Sequence, residues 1–336
     1  MRLVKACLAA CAMLFAGFAA QAEEPVKIRI AWIAAPTNLA PILFAKEGVA
    51  QHLGKSYTIE PVRFNGSPQM ITAMGVGELD IALFSYSSFA LAVQNAGMTD
   101  MRVIADDFQG NVPGGFQEGY LVLKDSPIKT IEDLRGKVLA TNGAGGAIDI
   151  ALRTALSKHG MQDKRDYTIV EAPLPTMKAL LLEKKVDLIS RTIPFAHDPE
   201  LKAASRVLFT QGEYVGITQT LLWAAKAGFL EQHKAALTDF MEDVIRARRW
   251  YVDPANREEA IKIVTEFTKQ PREFYDSWIF TDQDAYRDPD AKPNVQALQS
   301  NIDNQSNAGF LKAKLDVAPY IDLSIVEAAA ARVNKK

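Results

Sequence analysis

The sequence predicts an α/β protein of two lobes, and three observations carry that reading. From Val26 onward, apolar runs of strand length alternate with helical stretches, the pattern of βαβ units and parallel sheet. The cluster Gln109-Gly110-Asn111-Val112-Pro113-Gly114-Gly115 interrupts this series, which restarts at Tyr120. The 336 residues, 48% hydrophobic and 23% charged, are too many for one compact core and suit domains of roughly 100 to 200 residues each.

The first lobe opens with an alternating run over 27–33, in which Ile28, Ile30 and Trp32 share a face. Ala34-Ala35-Pro36-Thr37-Asn38 breaks it, and Thr37 or Asn38 is placed to cap a helix through Phe44 and Val49. A second strand spans 57–64. After Asn65 and Gly66, Ser67 is the expected cap and Pro68 the first residue of a helix through Met74. A third strand over 80–84, a turn at Ser85-Tyr86-Ser87-Ser88, a helix over 89–95 ended by Gly97, and a fourth strand over 102–108 complete the series.

The second lobe begins with a strand at 120–123. Thr130 and Asp133 have capping-box spacing before a short helix that Gly136 ends, and 137–141 is the next strand. Asn142-Gly143-Ala144-Gly145-Gly146 then opens a helix with Ile148, Leu152 and Leu156 on its apolar face. A strand at 167–170, a helix over 175–182 and a strand at 187–193 follow. Strands at 206–209 and 217–224 lead back, and the clearest later helices are 229–251, 254–267 and 324–333. The first lobe is therefore expected to comprise 23–112 and 212–336, with 113–211 inserted as the second.

Residues 1–22 read as a secretory signal. Met1-Arg2-Leu3-Val4-Lys5 precedes a small, apolar run, and Ala20-Gln21-Ala22 has the small-x-small pattern of a cut after Ala22. The run is shorter than the roughly 20 residues of a membrane span. Leu8-Ala9-Ala10-Cys11 resembles a lipoprotein box, but it stands too few residues beyond Lys5 to be the preferred cut. Cleavage would remove Cys7 and Cys11, the only cysteines, and leave 314 residues with 36 basic against 40 acidic groups. That excludes a disulfide framework, cysteine-based zinc, thiol nucleophiles and thioether-held cofactors. No block of Lys and Arg is suited to a phosphate backbone, so nucleic acid is not an expected partner.

In open α/β sheets ligands bind at loops leaving the carboxyl ends of strands. Those loops carry Trp32, Pro36, Asn38, Ser67, Ser85, Tyr86, Ser87 and Gln109 in the first lobe, and Asn142, Gly145, Gly146, Arg191, Thr192 and Phe195 in the second. The set grips rather than cleaves, being mostly uncharged hydrogen-bonding groups with a few aromatics and one arginine. The turn at 142–146 can offer helix-start N–H groups to an oxyanion, or serve only as a strand-to-helix turn that needs glycine. It lacks the lysine of a nucleotide P-loop and the spacing of a dinucleotide fingerprint, so no cofactor is expected. Arg191 can fork onto a carboxylate or sulfonate, or pair structurally with Glu183 or Asp198. Trp32 and Phe195 can pack on a ligand or in the core.

Catalytic and metal sets are poor. His52, His159, His197 and His233 are scattered, without a helical i, i+4 partner. Asp106 and Asp107 are expected to face opposite sides of a strand. Ser85, Ser87 and Ser88 lack a nucleophile elbow. Arg246-Ala247-Arg248-Arg249 is expected to be a solvated helix face.

Four segments taken together resemble the periplasmic substrate-binding proteins of ABC importers of the nitrate, sulfonate, taurine and bicarbonate type. They are Ile28-Arg29-Ile30-Ala31-Trp32, Gly77-Glu78-Leu79-Asp80-Ile81-Ala82, Thr130-Ile131-Glu132-Asp133-Leu134-Arg135-Gly136-Lys137-Val138, and Ala179-Leu180 leading to Val186-Asp187. The likeness covers about 26–250. It implies a type II periplasmic binding fold, a monomer that closes on a small organic anion and delivers it to an inner-membrane permease driven by a separate ATPase. It also implies ligand contacts at 34–38, Ser67, 85–87, 142–146 and 191–195. The chain departs from the family at Ser85-Tyr86-Ser87-Ser88, where small residues are usual. Aliphatic sulfonates and aromatic or aliphatic carboxylates stay open, and the many aromatics disfavour bare nitrate. A fold-sharing pyrimidine-forming enzyme of thiamine synthesis, and a porphobilinogen deaminase, would need cysteines that this chain lacks beyond Cys11. A secreted sensor for a membrane receptor is a further alternative.

Overall fold

Alternate burial of Ile28 and Ile30 builds β1 (Val26–Trp32), which pairs in parallel with β2 (Tyr57–Arg63) in a register setting Ile28 against Ile59. These elements come from a computed structural model that describes residues 24–335. The expected signal segment, with Cys7, Cys11 and the cut after Ala22, lies outside the described residues. The helix expected through Phe44 and Val49 does not form. Separate turns, such as Ile42 N donating to Leu39 O and Ala45 N to Ile42 O, bury Leu39, Ile42 and Leu43 without a continued helical ladder. Asn38 closes the loop on itself, its Oδ1 accepting from the backbone of Ile33 and Ala34 at 3.0 and 2.9 Å.

The next helix, α1 (Ser67–Gly75), is capped by Gly66, not Ser67, because the Ser67 hydroxyl is taken up by other serines. β3 (Ala82–Ser85) leads directly into α2 (Tyr86–Asn95). Ser85 caps that helix by accepting from Ser88 N at 3.1 Å, so Tyr86, Ser87 and Ser88 form its first turn and not the separate turn expected. β4 (Met101–Gly110) is buried along nearly its whole length.

Beyond the Gly/Pro cluster come β5 (Gly119–Leu123), β6 (Val138–Thr141), α3 (Ala147–Lys158), β7 (Thr168–Glu171), α4 (Met177–Leu182), β8 (Ile189–Arg191), α5 (Pro199–Ala204) and β9 (Ser205–Thr210). Ile148, Leu152 and Leu156 of α3 are buried as their spacing predicts. A short α6 (Gly212–Val215) precedes β10 (Thr218–Lys226). The expected helix over 229–251 is two, α7 (Ala227–Gln232) and α8 (Lys234–Val252), broken at His233. α9 (Arg257–Thr268), α10 (Val295–Asn307) and α11 (Ser324–Val333) complete the described chain.

Bridges Ile30↔Ile81 and Leu139↔Leu188 join the paired strands into two five-stranded sheets, ordered β2-β1-β3-β10-β4 and β7-β6-β8-β5-β9. The expectation of parallel sheets needs correction. β10 runs antiparallel to β3 and β4, and β5 antiparallel to β8 and β9. β5 and β10 follow the passages between the sheets, so neither is delivered by the helical crossover that sets a parallel neighbour. Two apolar clusters result, one around Ile28, Trp223 and Phe240, the other around Tyr120, Leu152 and Leu181. Ala147, Ile150, Ile193 and Ala196 belong to the first although they lie between the strands of the second, so the two halves pack together along a cleft.

Two charge expectations also fail, for one reason. The pairing β10 to β4 passes from Leu221↔Phe108 to Leu222↔Asp106, so Asp107 is the extra residue of a bulge. Both aspartates turn inward, and Arg248 of α8, 2% exposed, binds them: Nη1 lies 3.1 Å from Asp106 Oδ2 and Nη2 donates to Asp107 O at 2.9 Å. Arg246 pairs with Glu242 and Asp243. The 246–249 stretch is therefore mostly an internal clamp, not a solvated face.

Candidate functional site

The carboxyl ends of β1, β3, β6 and β8 meet at the cleft and surround two connected chambers. The inner one, about 60 Å³, is lined by Asn38, Ser67 and Ser85 from one side, Asn142, Gly146 and Thr192 from the other, and Glu118 and Thr220 at its base. Phe108, Ile148 and Leu221 are among its apolar walls. The outer one, about 630 Å³, is lined by Trp32, Arg63, Lys178, Phe195 and Phe267 among others, and shares Ala34, Leu174 and Thr192 with the inner.

Three helix starts converge on the inner chamber. Ser67 opens α1, Ser85 caps α2, and Gly146 caps α3. Each start carries N–H groups that no helical carbonyl satisfies and a partial positive charge. Buried serines lock two of them together. Ser67 Oγ lies 3.1 Å from Ser85 Oγ and 3.0 Å from Ser88 Oγ, and Ser88 Oγ donates to Gly145 O at 3.4 Å across the cleft. Asn38 is equally committed, donating from Nδ2 to Asp107 Oδ2 at 2.7 Å. Two buried lining hydroxyls are not: Thr37 Oγ1 and Thr192 Oγ1 have no hydrogen-bond partner among the described residues. Such orphans are uncommon in protein interiors and mark where a ligand or water can bind.

Among the described residues, Glu118 is the one ionisable side chain lining the inner chamber. It is 4% exposed, and burial pushes its carboxyl up to about 7, against weaker downward pulls from Thr220 and Arg191. In the outer chamber Lys178 is neutralised by Asp198 and Glu200 at 2.8 and 3.0 Å. Arg63 makes no ion pair among the described residues, and its guanidinium lies 5.4 Å from the Trp32 ring centre.

Of the predicted contacts, Asn38, Ser67, Ser85, Asn142, Gly146 and Thr192 are brought together around the inner chamber, and Trp32 and Phe195 join Thr192 at the outer. The others line neither chamber. Pro36 is buried behind a cis bond from Ala35. Tyr86 and Ser87 are sealed inside the first turn of α2, where burial raises the Tyr86 phenol well above its usual range. Gln109 accepts from Asn294 Nδ2 at 3.3 Å. Gly145 takes a positive φ of 79° and donates to Asp149 Oδ2 at 2.9 Å, shaping the turn instead of facing the cavity. Arg191 also lies off both chambers. Along β8 the side chains alternate, so Ser190 and Thr192 face the cleft while Arg191 turns away, donates to Gln117 O and stacks 4.2 Å from the Phe116 ring centre. It pairs with neither Glu183 nor Asp198.

Glu118, Thr220, Arg63 and Phe267 were not singled out from sequence. Arg63 ends β2, so the carboxyl-end rule applied to it. Glu118 offered only its place beside the Gly/Pro cluster. His52, Asp239 and Glu242 also approach one another, but Arg332 Nη1 lies 2.7 Å from Asp239 and Arg246 pairs with Glu242, which leaves that group charge-compensated.

Two lobes of mixed sheet, with a cleft lined from both, define the type II periplasmic substrate-binding fold. The chain belongs to the NMT1-like family, whose model matches residues 21–265. In structure it is similar to the alkanesulfonate-binding protein SsuA from Xanthomonas axonopodis pv. citri bound to MOPS, with 20% identity, a TM-score of 0.70, and 90% of this chain and 100% of that one covered. The periplasmic nitrate-binding protein NrtA from Synechocystis PCC 6803 matches with 18% identity, a TM-score of 0.72 and coverage of 93% and 90%. The desulfurization enzyme DSZB matches at 15% identity and a TM-score of 0.61 over 91% and 99%, so the fold alone does not separate binding from catalysis. No curated protein matches the chain in sequence.

Proposed function

We propose that this is an extracytoplasmic solute-binding protein that captures a small organic anion of the sulfonate, taurine or carboxylate class and delivers it to an ABC permease with its ATPase. The observation that supports this best is the inner chamber. Three helix starts and the residues Thr37 and Thr192, whose buried hydroxyls lack a partner among the described residues, line one small space, and an oxyanion there gains donors and positive potential without a cation. The rest of the solute extends into the outer chamber against Trp32, Phe195 and Phe267, with Arg63 at its margin. In this reading 113–211 form a lobe inserted between 23–112 and 212–336, the protein works as a monomer, and it is exported with a cut after Ala22. It binds without turnover in this reading, because the chamber residues are mostly uncharged hydrogen-bonding and apolar groups suited to gripping a solute. Native mass spectrometry of the purified protein, followed by denaturing elution, should release one intact small anion. Conversion of that compound by the pure protein would refute the reading.

A further inference from the structure

An anion held at the helix starts would share the inner chamber with Glu118, and this conflict points to the rest of the ligand. Glu118 is fixed where it stands. Its N–H donates to Asn111 Oδ1 at 3.1 Å, its carbonyl accepts from Gln211 N at 2.8 Å, and its Oε2 receives only a long contact from Thr220 Oγ1 at 3.4 Å. Thr220 Oγ1 is itself 2.6 Å from Thr218 Oγ1. Space is reserved for this group: a Cβ on Gly110 would collide with Thr220 and fall 2.7 Å from Glu118 Oε2. No hydrogen bond reaches Oε1 among the described residues. Arg191, the nearest cation acting on it, is engaged with Gln117 O and Phe116. A carboxylate buried with half its valence unused is costly unless a donor arrives.

We propose that Glu118 receives a nitrogen donor of the solute, a protonated amine, and that the ligand class is therefore zwitterionic, its oxyanion at the starts of α1, α2 and α3 and its ammonium at Glu118. The chamber has room for a group of a few heavy atoms between the two. This rests on the solute-binding reading above and narrows it from anions in general to amino-sulfonates and amino-carboxylates.

The test uses matched probes on the full exported chain: taurine and ethanesulfonate, 3-aminopropanoate and propanoate, titrated calorimetrically. At about pH 8 the better amino compound should bind about tenfold or more tightly than its amine-free twin, and Glu118→Gln should erase that difference. The wild-type preference should shrink by about tenfold at about pH 5.5, where Glu118 is protonated. The other titratable groups facing it do not change over that range, since Arg191 of β8 stays charged and the phenols of Tyr86 and Tyr120 are raised. Equal binding of twins with no effect of Glu118→Gln overturns the inference and leaves anion capture standing. Tighter binding of an amine-free twin at low pH also overturns it, by making Glu118 a proton donor to the anion. Failure of all four probes overturns both.

Discussion

Two groups of buried carboxylates in this molecule are partnered in opposite ways. Asp106 receives Gln219 Nε2 at 2.7 Å, Asp288 N at 3.1 Å and the Arg248 guanidinium, while Asp107 receives Asn38 and Trp223. Each oxygen has its donor, and the cluster ties β4, β10, α8 and the loop after β1 into one frame. Glu118, equally buried and not far along the same chain, has one long hydroxyl contact. The frame is complete without a ligand and the chamber is not. A buried charge fully served by its own chain reports on stability, and one served by half marks the place where a ligand supplies the remainder.

The largest effect should follow from breaking the complete cluster. Arg248→Ala leaves two buried aspartates without their cation and should cost about 3 to 5 kcal/mol in urea unfolding, with Arg248→Lys in between. Glu118 should show the opposite behaviour. Its folded-state carboxyl titrates at about 7 against an ordinary value of 4.5, so the folded protein holds that proton more tightly than the unfolded chain between those values. Stability from this group is therefore highest at low pH and falls as pH rises through that window, by about 3 kcal/mol once above it. Glu118→Gln should remove that slope in the unliganded protein, measured as the difference between unfolding curves of the two proteins over the pH range.

Smaller effects belong to the chambers. Thr192→Val deletes an unpartnered hydroxyl and keeps the shape, so affinity should fall by about tenfold with stability unchanged or slightly raised. Arg63→Ala should weaken binding by only about threefold, and salt should abolish the difference, because that cation stands at the partly open outer margin. Arg191→Ala should alter affinity least, within about twofold, because Arg191 is engaged with Gln117 O and Phe116 and reaches the solute only through its weak pull on the Glu118 carboxyl. A loss of thirtyfold or more in that variant would return Arg191 to the binding site.

Local pattern made much of this legible. Strand alternation located all but the direction of the sheets, and the loops at strand ends located Asn38, Ser67, Ser85, Asn142, Gly146 and Thr192 around one space. What escaped depended on long-range partners. Asp106 and Asp107 read as opposite-facing because the bulge forms only when β10 pairs with β4. Arg248 read as solvated because the carboxylates it serves lie 142 residues away. Arg191 drew attention as the one arginine singled out at a predicted strand end, although Arg63 also stands at one, yet a shift of a single position decides which face a strand residue takes, and Thr192 took the cleft. Glu118 carries no motif, and only the folded geometry places it among the lining residues of the inner chamber.

The most direct test is a crystal structure of the protein with the tightest-binding amino-sulfonate or amino-carboxylate. The account predicts density in the inner chamber, an oxyanion beside Ser67, Ser85 and Gly146, the Thr192 hydroxyl bonded to it, and the ligand nitrogen about 2.7 to 3.2 Å from a Glu118 oxygen. A ligand confined to the outer chamber, or one held by Arg191 with Glu118 untouched, would contradict it.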